Sequence, residues 1–171
     1  MTPDVYTIGL AKIEVGDIGV DGGMGTALAA LGYTLQNTCK ITQEDARTNE
    51  FFAEEKDDPV VRVSQRGKTT VEFSLMNPDL TILEKLLGGK VEGTGATQKW
   101  TAPAKLPIIE KSVKITPKQG LIWAFPRLNI EAKIEGNFSR ENIFVIAIKG
   151  IAMEPTKVNE PIYSASLLPT A

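Results

Sequence analysis

VEFSLMNPDLTILEKLLGG, residues 71–89, joins a short strand to a punctuated helix. Val71, Phe73 and Leu75 alternate with Glu72 and Ser74, giving one apolar and one polar face. Asn77 stands where a helix N-cap belongs, and Pro78 follows at the first helical position, where a missing N–H costs nothing. Asp79 puts negative charge on the positive end of the helix dipole, and Lys85 puts positive charge near the other end. Leu80, Leu83 and Leu87 recur at i, i+3 and i+7 with Leu86 beside them, and Gly88-Gly89 supplies a residue able to take positive φ. The pattern predicts a helix over about residues 78–87, the one strong helix of the chain. About ten residues are marginal alone in water, so the leucine stripe must lie on something. The rest of the chain reads as strands, so that surface is a sheet.

Residues 60–66 (VVRVSQR) alternate well, and Gly67-Lys68 reads as the turn of a hairpin into the strand at 69–75. Before them, residues 42–59 (TQEDARTNEFFAEEKDDP) carry seven acidic and two basic side chains and read as an extended acidic loop. Phe51-Phe52 is odd for a solvated loop. Either one ring covers the core edge, or the segment, with Glu54 and Glu55, is an arm that docks on another subunit. Residues 27–41 end in a strand; their first half reads as a helical turn or a strand. Residues 5–18 read as a strand broken at Gly9. Gly16, Gly19, Gly22, Gly23 and Gly25 then crowd into ten residues. With no Gly-Lys-Ser/Thr ending and no strong helix to follow, this is a turn rather than a phosphate cradle.

After the helix, residues 90–104 read as a loop with a short strand, and 108–115 as a strand that ends at Pro117. Pro126 suits a bulge or a strand junction. Leu128, Ile130, Ala132 and Ile134 alternate with Asn129, Glu131, Lys133 and Glu135, the cleanest half-exposed strand of the chain. Glu131, Lys133 and Glu135 share its polar face. Carboxylates so spaced on a strand read as a solvated face rather than an acid/base pair. Residues 143–148 (IFVIAI) are apolar on both faces and predict a central or doubly covered strand. The tail still holds Ile162, Tyr163, Leu167 and Leu168, which suggests docking on this subunit or a neighbour. With about eight strands and one helix, the fold class is mainly β: an antiparallel β-sandwich or barrel with one flanking α-helix. Residues 1–154 form the single domain, and residues 155–171 a C-terminal docking tail.

Composition narrows the function. A chain of 171 residues with 42% apolar content can bury a core as one domain. No apolar run approaches the ~20 residues that span a bilayer, and MTPDVYTIGL shows no basic-then-apolar signal, so no membrane partner is expected. One cysteine, Cys39, excludes an internal disulfide and reads as a small buried hydrophobe. There is no histidine, which removes the commonest general base and metal ligand; zinc sites and Cys/His or Ser/His/Asp catalysis are excluded. No catalytic residue, metal or cofactor is expected. Net charge is −2 but uneven, since residues 105–149 carry eight basic and four acidic side chains.

The stretch GKTTVEFSLMNPDLTILEKLLGG resembles the major tail tube proteins of long-tailed bacteriophages, where a strand of this kind leads into a short helix built on Asn/Asp-Pro-Asp and ending in Leu-Leu-Gly-Gly. The glycine-rich early loop, the segment EDARTNEFFAEEKDDP and the late strand IFVIAIKG stand in the expected order. The layout covers most of the chain; the specific part is about twenty residues. The resemblance implies a β-sandwich subunit that joins six-membered rings, which stack head to tail into a hollow tube through which DNA leaves the capsid. The tube proteins of type VI secretion are similar in fold. Implied partners are the chain itself, a tape measure protein and a tail terminator, with DNA passing unbound. The implied location is the virion tail, after assembly in the host cytoplasm. Phe51, Phe52, Glu54, Glu55, Ile162, Tyr163, Leu167 and Leu168 are the expected interface, and Glu131, Lys133 and Glu135 the expected lumen-facing residues. The competing reading is a soluble β-barrel or sandwich holding a small apolar ligand.

Overall fold

The computed structural model describes residues 4–169; residues 1–3 of the expected domain and 170–171 of the expected tail lie outside the described residues. In chain order the elements are β1 (Lys12–Gly16), β2 (Ala29–Ala30), β3 (Lys40–Gln43), β4 (Arg47–Phe52), β5 (Pro59–Gln65), β6 (Thr69–Leu75), α1 (Leu80–Leu87), β7 (Lys90–Glu92), β8 (Lys99–Thr101), β9 (Ile109–Thr116), β10 (Leu121–Glu135), β11 (Val145–Ala152) and β12 (Ser164–Leu167). Eight of these strands form one antiparallel sheet in the order β2-β1-β9-β10-β11-β6-β3, with β12 on the first part of β10. The fold is mainly β, an antiparallel β-sandwich with a single helix.

One sheet makes both layers by curling. Ile13 and Val15 of β1 share a core with Val71, Phe73 and Leu75 of β6, although β1 and β6 stand four strands apart in the sheet order. The segment from β2 to β3 fastens the curl. Its residue Leu31 donates to the Ile13 carbonyl at 3.1 Å, while Leu35 donates to Ser74 and Met76 to Tyr33 at 2.8 and 2.9 Å. The segment thus bonds β1 at one end and β6 at the other. Val113, Phe125, Leu128, Ile130, Ile146 and Ile148 complete the interior from β9, β10 and β11. The expected central strand is β11, between β10 and β6, although only one of its faces is fully covered.

Pro126 does sit at a bulge. Phe125 opposes Val113 and Leu128 opposes Lys111, so two residues of β10 face the single residue Ser112. The extra residue switches which parity points inward: Trp123 and Phe125 before it, Leu128 and Ile130 after it. Ser112 repairs the interrupted ladder. Its buried hydroxyl donates to the Pro126 carbonyl at 2.7 Å and accepts the Gly25 N–H at 2.9 Å, which also anchors the glycine-rich turn.

The helix begins two residues later than expected. Asp79, not Asn77, is the N-cap: its carboxylate accepts the Ile82 N–H at 2.8 Å. Asn77 is used elsewhere, accepting the Tyr33 N–H at 2.8 Å and so holding the fastening segment. Gly88, at φ 76°, ends the helix, and its carbonyl accepts the Trp100 indole N–H at 2.9 Å. Leu86 is fully buried, and Leu83 and Leu87 pack on the core as expected. Leu80 is corrected: it is half-buried outside the core cluster, and Ile82 takes its place. At 3.6 residues per turn, Ile82, Leu83, Leu86 and Leu87 form one stripe and Leu80 falls on its flank.

The expected hairpin of residues 60–75 is also corrected. β5 pairs with β4, whereas β6 lies between β11 and β3. Residues 42–59 are therefore not one loop: they hold the end of β3, all of β4, a turn at 53–58 and the start of β5. Gly67-Lys68 is not a turn but a neck, where Glu44 donates to the Lys68 carbonyl at 2.9 Å. A Cβ on Gly67 would lie 2.0 Å from the Glu44 carbonyl oxygen, so only glycine lets the two chains approach.

Candidate assembly surfaces

The β4–β5 hairpin stands off the body. Every residue of both strands is exposed, and the hairpin packs substantially on no other element. Its register sorts the side chains. Phe51 lies opposite Val61 and Asn49 opposite Val63 on one face; Glu50 lies opposite Arg62 and Thr48 opposite Ser64 on the other. The second face is satisfied internally, by a Glu50–Arg62 ion pair at 3.5 Å and a Thr48–Ser64 hydrogen bond at 3.3 Å. The first leaves Phe51, Val61 and Val63 at 58%, 50% and 47% exposure. Phe52, also exposed, pairs with Pro59 just beyond a bulge. Neither phenylalanine covers the core edge. The turn carries Glu54, Glu55, Asp57 and Asp58 with Lys56 among them, and none of the four carboxylates has an ion-pair partner among the described residues.

The tail behaves differently from the hairpin. β12 adds to β10 along Leu121–Ala124, and Leu168 donates to the Gly120 carbonyl at 3.0 Å. The Tyr163 ring packs against Trp123 and Phe125, with centroids 6.1 and 6.0 Å apart, and Arg66 lies 5.9 Å above it. Ile162, Tyr163 and Leu168 are half-buried on their own chain, and only Leu167 stays largely exposed. Of the two sequence alternatives for the tail, docking on its own body is the one observed.

Glu131, Lys133 and Glu135 project from the outer face of β10, and Lys133 pairs with Glu135. The register extends this face across four strands: Glu131 lies opposite Lys149, Lys149 opposite Glu72, and Glu72 opposite Lys40. The signs alternate along the row. Lys40 reaches Glu72 at 2.7 Å, and that hydrogen bond holds the Glu72 carboxyl below its ordinary range. The sequence contained each member, but only the register makes them a row.

A further surface, which sequence reasoning missed, surrounds the C-terminal end of α1. Pro103 and Pro107 fold against Gly88 and leave Leu106 and Ile108 at 93% and 83% exposure. Lys85 lines the same recess as Ile108, together with Glu84 and Glu110. Lys90 and Lys99 lie on the β7–β8 hairpin and Lys105 precedes Leu106 in the loop, and none of these four lysines forms an ion pair among the described residues. Lys111, nearby, is engaged by Asp17 at 2.5 Å. Two exposed aliphatic residues next to Pro107 in a lysine-bearing loop were the available signal.

Among the described residues, no group of three or more His, Cys, Asp or Glu is placed to hold a metal ion, and no helix is long and apolar enough to cross a membrane. No protein-family model matches the chain, and no curated protein matches it significantly.

Proposed function

We propose that this chain is the tube subunit of a phage-type tail, a structural protein that assembles with copies of itself into stacked rings around a conduit for DNA. The observation that carries the reading is the β4–β5 arm. An isolated two-stranded hairpin is marginal in water, and one that keeps an apolar face uncovered is a surface awaiting a partner. The polar face of the arm is satisfied within the chain, whereas Phe51, Val61 and Val63 are not covered. The interior of the body, by contrast, is filled by its own side chains, with Phe125, Leu75, Leu86, Leu128 and Ile146 fully buried. That division between a self-sufficient body and a protruding arm suits a self-assembling subunit better than a carrier of a small apolar ligand.

The alternating row Glu131-Lys149-Glu72-Lys40 supports a place for this face along the bore. Affinity for phosphate grows with each uncompensated lysine or arginine, and in this row each lysine neighbours a carboxylate. A wall so balanced lets DNA slide. In this reading the tape measure and terminator proteins meet the tube at its inside and its end, and no cofactor takes part. Negative-stain imaging of the concentrated chain, with and without a polymer crowder, tests the proposal. Rings or tubes with a stain-filled centre are expected. Particles that stay compact monomers under every condition contradict it.

A further inference from the structure

Residues 44–46 and 66–68 interrupt what is otherwise one long hairpin. Gln43 opposes Thr69 on the body side of the break, and Arg47 opposes Gln65 on the arm side. Four positions separate Gln43 from Arg47 and four separate Gln65 from Thr69, so the register runs through while the pairing stops. Among the described residues one backbone hydrogen bond crosses the break, from Glu44 to the Lys68 carbonyl at 2.9 Å. A ladder thinned to one bond opens more readily than the paired stretches on either side. The break is therefore a hinge between the body and the β4–β5 hairpin.

We propose that Tyr163 is the latch of this hinge, so that docking of the C-terminal strand and the direction of the arm are coupled. Tyr163 touches both strands at the break. Its hydroxyl donates to Oε1 of Gln43, the last residue of β3, at 3.3 Å, and the Arg66 guanidinium of the returning strand lies 5.9 Å over its ring. On its other side the ring rests against Trp123 and Phe125 of β10. Ile41, Gln43 and Thr69 from the base of the arm and Trp123 and Phe125 from β10 line an open recess of about 280 Å³, and Tyr163 is the tail residue on it. The tail is itself lightly held, since β12 brings only four residues to β10 and all four are exposed. Coupling between two such elements runs both ways. A tail lifted from β10 takes Tyr163 with it and frees the hinge; an arm turned out of line breaks both clasps and loosens the tail. The latch is a property of the single chain and stands apart from the tube reading.

Spin labels on the arm turn (Glu55→Cys) and on the outer face of β10 (Lys133→Cys), in a Cys39→Ala background, report the direction of the arm by double electron–electron resonance. The labelled chain is kept dilute among unlabelled chain, so that only distances within one copy are read. A single narrow distance peak is expected for the parent, and its loss for Tyr163→Ala. That change also removes the ring that anchors the tail, so a second variant acts from the arm side. Gln43→Ala with Arg66→Ala removes both clasps and leaves the ring on Trp123 and Phe125. It should lose the narrow peak as well, and its β12 amides should exchange with solvent faster than the parent's. A narrow peak that survives in the second variant, unchanged β12 exchange, or a parent whose distances are already broad overturns the inference. None of these results decides whether the chain builds tubes, and imaging of tubes does not decide the latch.

Discussion

Ser112 shows how much a single side chain settles here. The bulge at Pro126 strands a backbone carbonyl inside the protein, and the Ser112 hydroxyl takes it up while receiving Gly25 from the glycine-rich turn. A buried polar group without a partner costs about 1–3 kcal/mol. Ser112→Ala orphans both groups and should lower unfolding stability by about 2 kcal/mol in urea titrations, with faster amide exchange at Gly25. An unchanged midpoint contradicts that role. The bulge itself was legible, because proline inside an alternating strand has few other places to go. Its repair was not, since nothing in the sequence marks Ser112 as different from any other serine. Asn77 teaches the same limit. Both Asn77 and Asp79 are good N-caps, and a long-range bond to Tyr33, 44 positions away, decides which of them serves.

At the scale of elements, the helix was readable and the arm was not. Leucine spacing, a terminal glycine pair and a carboxylate before the first turn all act within a few residues, so α1 could be placed to within two positions. The stripe predicts unequal costs along it. Leu86→Ala should destabilise by about 2–5 kcal/mol, as for a fully buried leucine, and Leu80→Ala by less than about 1 kcal/mol, both read from denaturant midpoints. Equal costs contradict the orientation described for α1. β4, in contrast, reads RTNEFF and has no core to pattern it, because a strand exposed on both sides obeys no inside–outside alternation. Its identity comes from Val61 and Val63 finding Phe51 and Asn49 across the register. The alternation of residues 60–66 was real, but it does not specify a partner strand, and the nearest strand in sequence was the wrong one.

For the whole molecule, the fold class followed from tallying strands around one helix, but the curl did not. It depends on residues 29–43 bonding two strands that are remote in the sheet order. Several ion pairs fasten the outside of this shell. Hydrogen bonds from Lys111, Lys157 and Lys40 hold the carboxyls of Asp17, Asp21 and Glu72 below their ordinary values. A carboxyl lowered in the folded state contributes stability above its unfolded value, roughly pH 4, and loses it as the pH falls through the folded one. Melting temperature should therefore drop as pH is lowered from 6 through 4 towards 2. Asp21→Asn should melt lower at pH 6 and show a shallower acid limb; an acid limb identical to the parent's contradicts the assignment. Lys157, which Asp21 raises above its usual value, contributes in the opposite sense and is lost only at high pH.

The central claim is that the body is complete alone and the arm is kept for another copy. Sedimentation of the parent chain beside a Phe51→Ser, Val61→Thr, Val63→Thr variant, with melting curves of both, tests it most directly. The account predicts melting temperatures within a few degrees of each other, concentration-dependent assemblies for the parent, and monomers for the variant. A variant that melts far below the parent, or that assembles equally well, contradicts it.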